Sequence, residues 1–266
     1  MSASPRTAVV TGASSGIGAV YADRLAARGY DLLLVARRAD RLNALAAKLA
    51  AAHGVKVQVL AADLAKESDL ADVEAVLRRD ASVQLLVNNA GIARLRPFAQ
   101  SSAEDAVSQI ALNITALTRL TQAVLPGFVA RDAGAVINVA SVLAVHALPI
   151  SSVYSATKAF VLQFSRGLQQ ELAATNVRVQ SVMPAATATE IWSEETSGVP
   201  LSALQKETVM SAEDLVDAAL AGFDKGEPVT WPSVGDAGLW DTFDAARGAL
   251  FAATQTGTPA ARYRQA

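Results

Sequence analysis

Residues 7–29 read TAVVTGASSGIGAVYADRLAARG. TAVVT (7–11) is a short apolar run suited to a strand that is buried on both faces. IGAVYADRLAARG (17–29) has helical spacing and closes on Gly29, a helix-stopping residue. TGASSGIG (11–18) joins the two. Gly12 allows a tight exit from the strand, Gly16 lets backbone approach a pyrophosphate, and Gly18 permits close packing of the helix. The helix start then presents free N–H groups and a partial positive charge to phosphate. The spacing is G-x-x-x-G-x-G, not G-x-G-x-x-G, and no Lys-Ser/Thr follows as in a P-loop. A purely structural turn is the alternative, and the position between strand and helix favours a dinucleotide.

The same alternation continues down the chain. Strands are expected at DLLLVA (31–36), VKVQVLA (55–61), QLLVNNA (84–90), GAVINVA (134–140), VRVQSVM (177–183) and around Val229–Trp231. Helices are expected between them: one carrying Leu42, Leu45 and Leu49 before Gly54, then Glu67–Arg79, Ala103–Leu125, a helix from the tyrosine stretch SSVYSATKAF (151–160) to about Ala174, and one opened by Ser211 and ending near Gly226. Strands apolar on both faces, each followed by a helix, make a doubly wound α/β fold: one parallel sheet covered by helices on both faces. Crossovers should be right-handed. No linker, repeat or domain boundary appears, so residues 1–266 read as one domain. Residues 185–210 form the one long connection without an element, and are read as a substrate lid. The tail, TQTGTPAARYRQA (254–266), reads as loosely held.

Composition excludes several classes of function. With 52% hydrophobic and 18% charged residues the chain supports a sizeable core. A net charge of -2 offers no basic surface for nucleic acid or an anionic membrane. The absence of cysteine removes disulfides, thiolate metal sites and cysteine nucleophiles. MSASPRTAVV lacks the pattern of a signal peptide, and no apolar run approaches ~18 residues, so a soluble cytoplasmic protein is expected. His53 and His146, the only histidines, have no metal-ligand spacing, so no metal is expected.

About 20 residues past such a glycine turn, NAD-binding folds place an acid on the ribose 2′-hydroxyl. Here the second strand runs into VARRADRL, with Arg37 and Arg38 and no acid in that place. A guanidinium pairs a 2′-phosphate, so NADP is favoured over NAD, although two arginines also suit a solvated loop. Asp63, closing the third strand, is placed to accept a hydrogen bond from an adenine amino group. Arg94 and Arg96 suit either an anionic substrate or a solvated loop. Trp192 suits either a lid anchor or simple packing.

Tyr154 and Lys158 stand i, i+4 on one helix face. Alone, the pair is compatible with a core ring beside a solvated lysine. A free phenol titrates near ~10, and an adjacent ammonium together with the positive nicotinamide ring of an oxidised cofactor lowers that value, which makes tyrosine a proton donor-acceptor near neutrality. TGASSGIG, NNAG (88–91) and a serine thirteen residues before Y-x-x-x-K, in that order, resemble the short-chain dehydrogenase/reductase family with its Rossmann-type fold. The likeness runs from Thr7 to about Thr189.

The resemblance implies four catalytic residues, Asn113, Ser141, Tyr154 and Lys158. Tyr154 passes the proton, Ser141 holds the substrate oxygen, Lys158 also binds the nicotinamide ribose, and Asn113 anchors a relaying water. It implies cofactor contacts at Gly12, Ser14, Ser15, Gly16, Ile17, Gly18, Arg37, Arg38, Asp63, Leu64, Asn89, Ala90, Gly91, Tyr154, Lys158, Pro184, Thr187 and Thr189. Substrate contacts fall to Ser141, Leu143, His146, Tyr154, Ile191 and Trp192. The family's Pro-Gly after the sixth strand is Pro184-Ala185 here, which reduces backbone freedom near the nicotinamide.

The expected activity is NADPH-preferring interconversion of a ketone and a secondary alcohol. Ile92, Leu95, Val142, Leu143, Leu148, Ile191, Trp192, Val199 and Leu201 suggest a mainly apolar substrate. The alternatives are an epimerase or dehydratase of the same wider family, and a dinucleotide-sensing regulator without turnover. The family also implies a homodimer or homotetramer built through the fourth and fifth helices.

Overall fold

The computed structural model describes residues 6–264. The first five residues of MSASPRTAVV and the last two of the tail lie outside them. In chain order the elements are β1 (Thr7–Thr11), α1 (Gly16–Ala27), β2 (Asp31–Ala36), α2 (Ala39–His53), β3 (Val57–Ala61), α3 (Glu67–Arg79), β4 (Val83–Asn88) and α4 (Ala103–Ile110). A π-helical turn (Ala111–Ala116) leads into α5 (Leu117–Ala130). Then come β5 (Gly134–Val139), α6 (Ser152–Glu171), β6 (Val177–Val182), α7 (Ala212–Asp224), β7 (Val229–Thr230) and α8 (Gly238–Ala253).

The strands form one parallel seven-stranded sheet in the order β3-β2-β1-β4-β5-β6-β7. Alternate residues of each strand serve opposite faces. Ala8, Val10, Leu32, Leu34 and Ile137 pack under α1, α2 and α7 with Tyr21, Leu25, Leu42, Leu49 and Leu215. Val9, Leu33, Leu86, Val136 and Val179 pack under α3, α5 and α6 with Val73, Leu77, Leu120, Phe128 and Leu168. Burying each of these valine, leucine, isoleucine and phenylalanine side chains contributes about 1.5–3 kcal/mol, so the two layers fix the sheet independently of any ligand. Strand order reverses between β1 and β4, and in open parallel sheets ligands bind outside the carboxyl ends at that reversal.

The chain divides into two compact units after Pro232. The first is the α/β unit that carries every residue of the expected site. The second contains α8, where the sequence reading placed no element. No residue of α8 is buried, Leu239, Leu250 and Phe251 are exposed, and Trp240 stacks on Phe243 with centroids 5.4 Å apart.

The helix expected over 103–125 is instead two helices joined by the π turn, and it continues past Pro126 to Ala130. Residues 185–210 hold no long element, but they are pinned. A parallel bridge joins Thr187 to Met210, Leu95 N donates to Ser197 O at 2.7 Å, and Arg94 donates to the carbonyls of Glu195 and Thr196. Among the described residues no helix is long and apolar enough to cross a membrane.

Candidate active site

Thr11 ends β1, and its hydroxyl fastens β1 to β4. It accepts from the backbone N–H groups of Asn89 and Ala90 at 3.0 Å and donates to Val87 O at 3.2 Å. Asn89 Nδ2 donates to Thr11 O at 2.8 Å. The NNAG segment is thereby locked against the glycine turn. Gly12 and Gly16 adopt φ of +67° and +53°, where a side chain is strained. A Cβ on Gly18 would lie 2.4 Å from Gly12 O, so this position has no room for one.

Ser15 is the N-cap of α1 but does not cap it. Its hydroxyl accepts from Arg38 Nη2 at 2.7 Å, while Ser14 accepts from the same nitrogen at 2.9 Å. The first-turn amides of α1 therefore have no side-chain acceptor, and no acid stands in that turn. Uncapped amides, a positive helix end and an adjacent guanidinium suit a phosphate. Arg38 Nη1 donates to Glu190 at 2.7 Å, and Arg41 Nη1 donates to the other Glu190 oxygen at 2.5 Å. These two cations hold the Glu190 carboxyl down at about 2. Arg37 is exposed and has no hydrogen bond or ion pair with any described residue. Asp63 is half-buried, accepting from Ala65 N at 3.1 Å, beside buried Leu64.

Behind the site lies a buried polar ladder. Asn88 Nδ2 donates to Thr121 Oγ1 and Asn138 Oδ1, each at 2.9 Å, and Asn138 Nδ2 donates to Ser165 Oγ at 2.9 Å. It ties β4 and β5 to α5 and α6. Asn113 sits in the π turn, fully buried, with Oδ1 accepting from Ile92 N and Nδ2 donating to Ile92 O, both at 2.9 Å. Nδ2 also reaches Thr157 Oγ1 at 3.0 Å. The widened turn and the side chain together fix the loop after NNAG beside α6.

Lys158 Nζ is buried, donates to Val139 O at 2.8 Å and lies 5.7 Å from the Tyr154 ring centroid. Burial pulls its ammonium down to about 8. Tyr154 is half-buried, and desolvation pushes its phenol up to about 12, against a smaller opposing pull from a hydrogen bond with Ser141. The expected lowering of the phenol counts two positive charges, the Lys158 ammonium and an oxidised nicotinamide ring. In the chain itself the direction is opposite, because one ammonium at that range does not offset desolvation.

Ser141 is buried, caps the short turn Val142–Ala144 and accepts from Leu143 N at 3.1 Å. Pro184 is buried, and its carbonyl accepts from Val142 N at 2.9 Å. Ala185 lies outside the positive-φ region, so alanine sits there without strain. Thr187 is buried and Thr189 half-buried, with Thr189 directly over Gly16. Trp192 is an anchor of this loop, its Nε1 donating to Thr187 O at 2.8 Å. Leu143 and Ile191 are half-buried, whereas His146 is exposed.

Three contributors escaped the sequence reading. Thr157 and Glu190 carried no local signal. Thr11 did, as the first letter of the glycine motif.

A short chain dehydrogenase family model matches residues 6–199. The chain belongs to that family. Among solved structures it is similar to a short-chain dehydrogenase from Sphingobium yanoikuyae in complex with NADPH, with 49% identity and a TM-score of 0.93, covering 97% of this chain and 100% of that one. It also resembles a bulky-bulky ketone specific alcohol dehydrogenase from Comamonas testosteroni, at 41% identity and TM-score 0.89, covering 98% and 99% of the two chains. A very-long-chain 3-oxoacyl-CoA reductase from Anas platyrhynchos is 36% identical over 188 residues, 69% of this chain. The chain spans about three fifths of the length of the curated relatives it matches. Within the short chain dehydrogenase family, then, this chain keeps the glycine turn, NNAG and Y-x-x-x-K on one sheet edge.

Proposed function

We propose that the chain is an NADPH-preferring oxidoreductase that interconverts a hydrophobic ketone and its secondary alcohol. The assembly of Ser141, Tyr154 and Lys158 beside the uncapped start of α1 carries this reading. The cradle suits a dinucleotide: Gly12, Gly16 and Gly18 add no side chain of their own to the turn, and Ser14, Ser15 and Arg38 converge on its mouth. When bound, a nicotinamide cofactor supplies or accepts the hydride. Asn89, Ala90, Gly91, Ile17, Asp63, Leu64, Pro184, Thr187 and Thr189 line the approach.

Tyr154 holds the transferable proton on its phenol oxygen. As a carbonyl oxygen gains electron density, Tyr154 donates that proton, and in the reverse direction it removes the proton of the alcohol. The Ser141 hydroxyl, held at the start of the turn after β5, orients the same substrate oxygen. Lys158 supplies positive charge that favours phenolate and is fixed by Val139 O. Asn113 acts through position, holding Ile92 and Thr157 so that α6 presents Tyr154 correctly. Leu143, Ile191 and Trp192 form the half-buried apolar lining, and His146 stands at its exposed rim.

Support for NADP comes from Arg38 at the phosphate mouth and from the NADPH complex of the 49% identical structure. Support for a large apolar ketone comes from the lining and from the 41% identical alcohol dehydrogenase. Assembly as a dimer or tetramer fits the exposed Val107, Ile110, Val129 and Phe160 of α4, α5 and α6, and sedimentation decides it. A panel of hydrophobic ketones assayed with NADPH and NADH tests the activity. Turnover with NADPH favoured supports it. No turnover, with NADPH bound, points to a dinucleotide-sensing protein. Conversion of a sugar substrate without net change in cofactor points to an epimerase or dehydratase.

A further inference from the structure

Glu190 belongs to the loop after β6, yet its carboxylate reaches the start of α2, where one oxygen pairs with Arg38 and the other with Arg41. Arg38 is also the guanidinium that donates to Ser14 and Ser15 at the glycine turn. A hydroxyl that accepts from a guanidinium keeps its own hydrogen to donate. Two cations and two hydroxyls thus converge on one place, and the anion standing there is the chain's own. The neighbouring residue, Thr189, lies over Gly16, so the backbone that carries Glu190 crosses the mouth of the turn.

We infer that Glu190 is a specificity-determining residue that competes, as an internal anion, with the 2′-phosphate of the adenosine half of the cofactor. This deepens the NADP reading and rests on it. A phosphate that takes Arg38 must first displace the carboxylate, so Glu190 weakens binding of a 2′-phosphorylated adenosine more than binding of one that lacks the group. The carboxyl, held at about 2, stays ionised throughout the working pH range, so the competition does not titrate away. The same pair latches the loop to α2, so displacement of Glu190 also frees the loop's first turn.

Calorimetry on the full chain, with adenosine 2′,5′-bisphosphate and adenosine 5′-monophosphate as probes, tests this without turnover. Glu190→Gln keeps the shape and removes the charge, and the side chain is 54% exposed, so the fold should survive, as melting will verify. The bisphosphate should bind about three- to ten-fold tighter to Glu190→Gln than to wild type, the scale of a small surface ion-pair network. The monophosphate should change by less than about two-fold. Glu195→Gln, which removes another exposed carboxylate of the same loop, should shift neither probe.

Unchanged or weaker bisphosphate binding by Glu190→Gln overturns the proposal. So does an equal gain in Glu195→Gln, which marks a general charge effect. The unmodified chain separately decides the underlying reading, because equal binding of the two probes by wild type rejects NADP preference whatever the variants do.

Discussion

Tyr154 and Lys158 are a pair whose spacing was legible and whose electrostatics were not. Residues four apart share a helix face whatever surrounds them, but a titration value depends on burial and on groups remote in sequence. The folded chain holds Lys158 at about 8 against an ordinary 10.5 and raises Tyr154 to about 12 against 10.0. For Lys158 the folded state gives up its proton first. The cost of the buried ammonium is fully present below pH ~8 and is relieved as pH rises toward ~10.5. Wild type should therefore gain in stability relative to Lys158→Met between pH 7 and 10, by up to about 1.4 kcal/mol per pH unit above pH ~8. Melts of both proteins across that range check it, and a flat difference shows that the ammonium is not penalised. For Tyr154 the sign is reversed, with stability lost from pH ~10 to ~12 as the unfolded phenol ionises first. Tyrosinate absorbance should show Tyr154 silent at pH 10 in the chain alone and titrating lower once NADP⁺ adds a positive charge. Tyr154→Phe identifies the signal.

At the scale of elements, the strands were readable because the central ones, such as β1 and β2, are apolar on both faces, a pattern that local sequence carries. The π turn was not readable. Within it Asn113 bonds both backbone groups of Ile92, a contact set by tertiary packing rather than by local sequence. The expected end at Leu125 was likewise early, since α5 runs through Pro126 to Ala130. The glycine turn was legible down to single residues, and Gly18 offers the plainest test. A methyl group there meets backbone at 2.4 Å, so Gly18→Ala should cost about 1–3 kcal/mol and weaken cofactor binding, as denaturant melts and titration report. The loop over 185–210 is a proposed lid, pinned at Thr187, Glu190 and Ser197. Protease cleavage there should slow when NADP and a substrate analogue bind, and unchanged cleavage with binding confirmed rejects closure.

Across the whole molecule, the sheet order is what makes distant segments one site. β1, β4, β5 and β6 are adjacent, so the glycine turn, NNAG, Ser141 and Pro184 leave the same edge side by side. The shared edge was legible as soon as strand–helix alternation was recognised; the strand order, which alternation does not fix, was not. The division after Pro232 was not, because the Gly- and Pro-containing stretch before α8 gives only turn signals. A chain ending at Pro232 retains every element from β1 to β7 and should fold by itself, its circular dichroism differing from the full chain's by the helical signal of α8. Failure of that shortened chain to fold counts against the division. The claim on which the rest depends is that this edge performs proton-coupled carbonyl reduction through one phenol. Ketone reduction by NADPH, measured for wild type and Tyr154→Phe side by side with melting and NADPH affinity as controls, tests it most directly. The rate should fall ~100-fold or more while fold and cofactor binding persist. A folded, NADPH-binding Tyr154→Phe protein that reduces the ketone at the wild-type rate contradicts it.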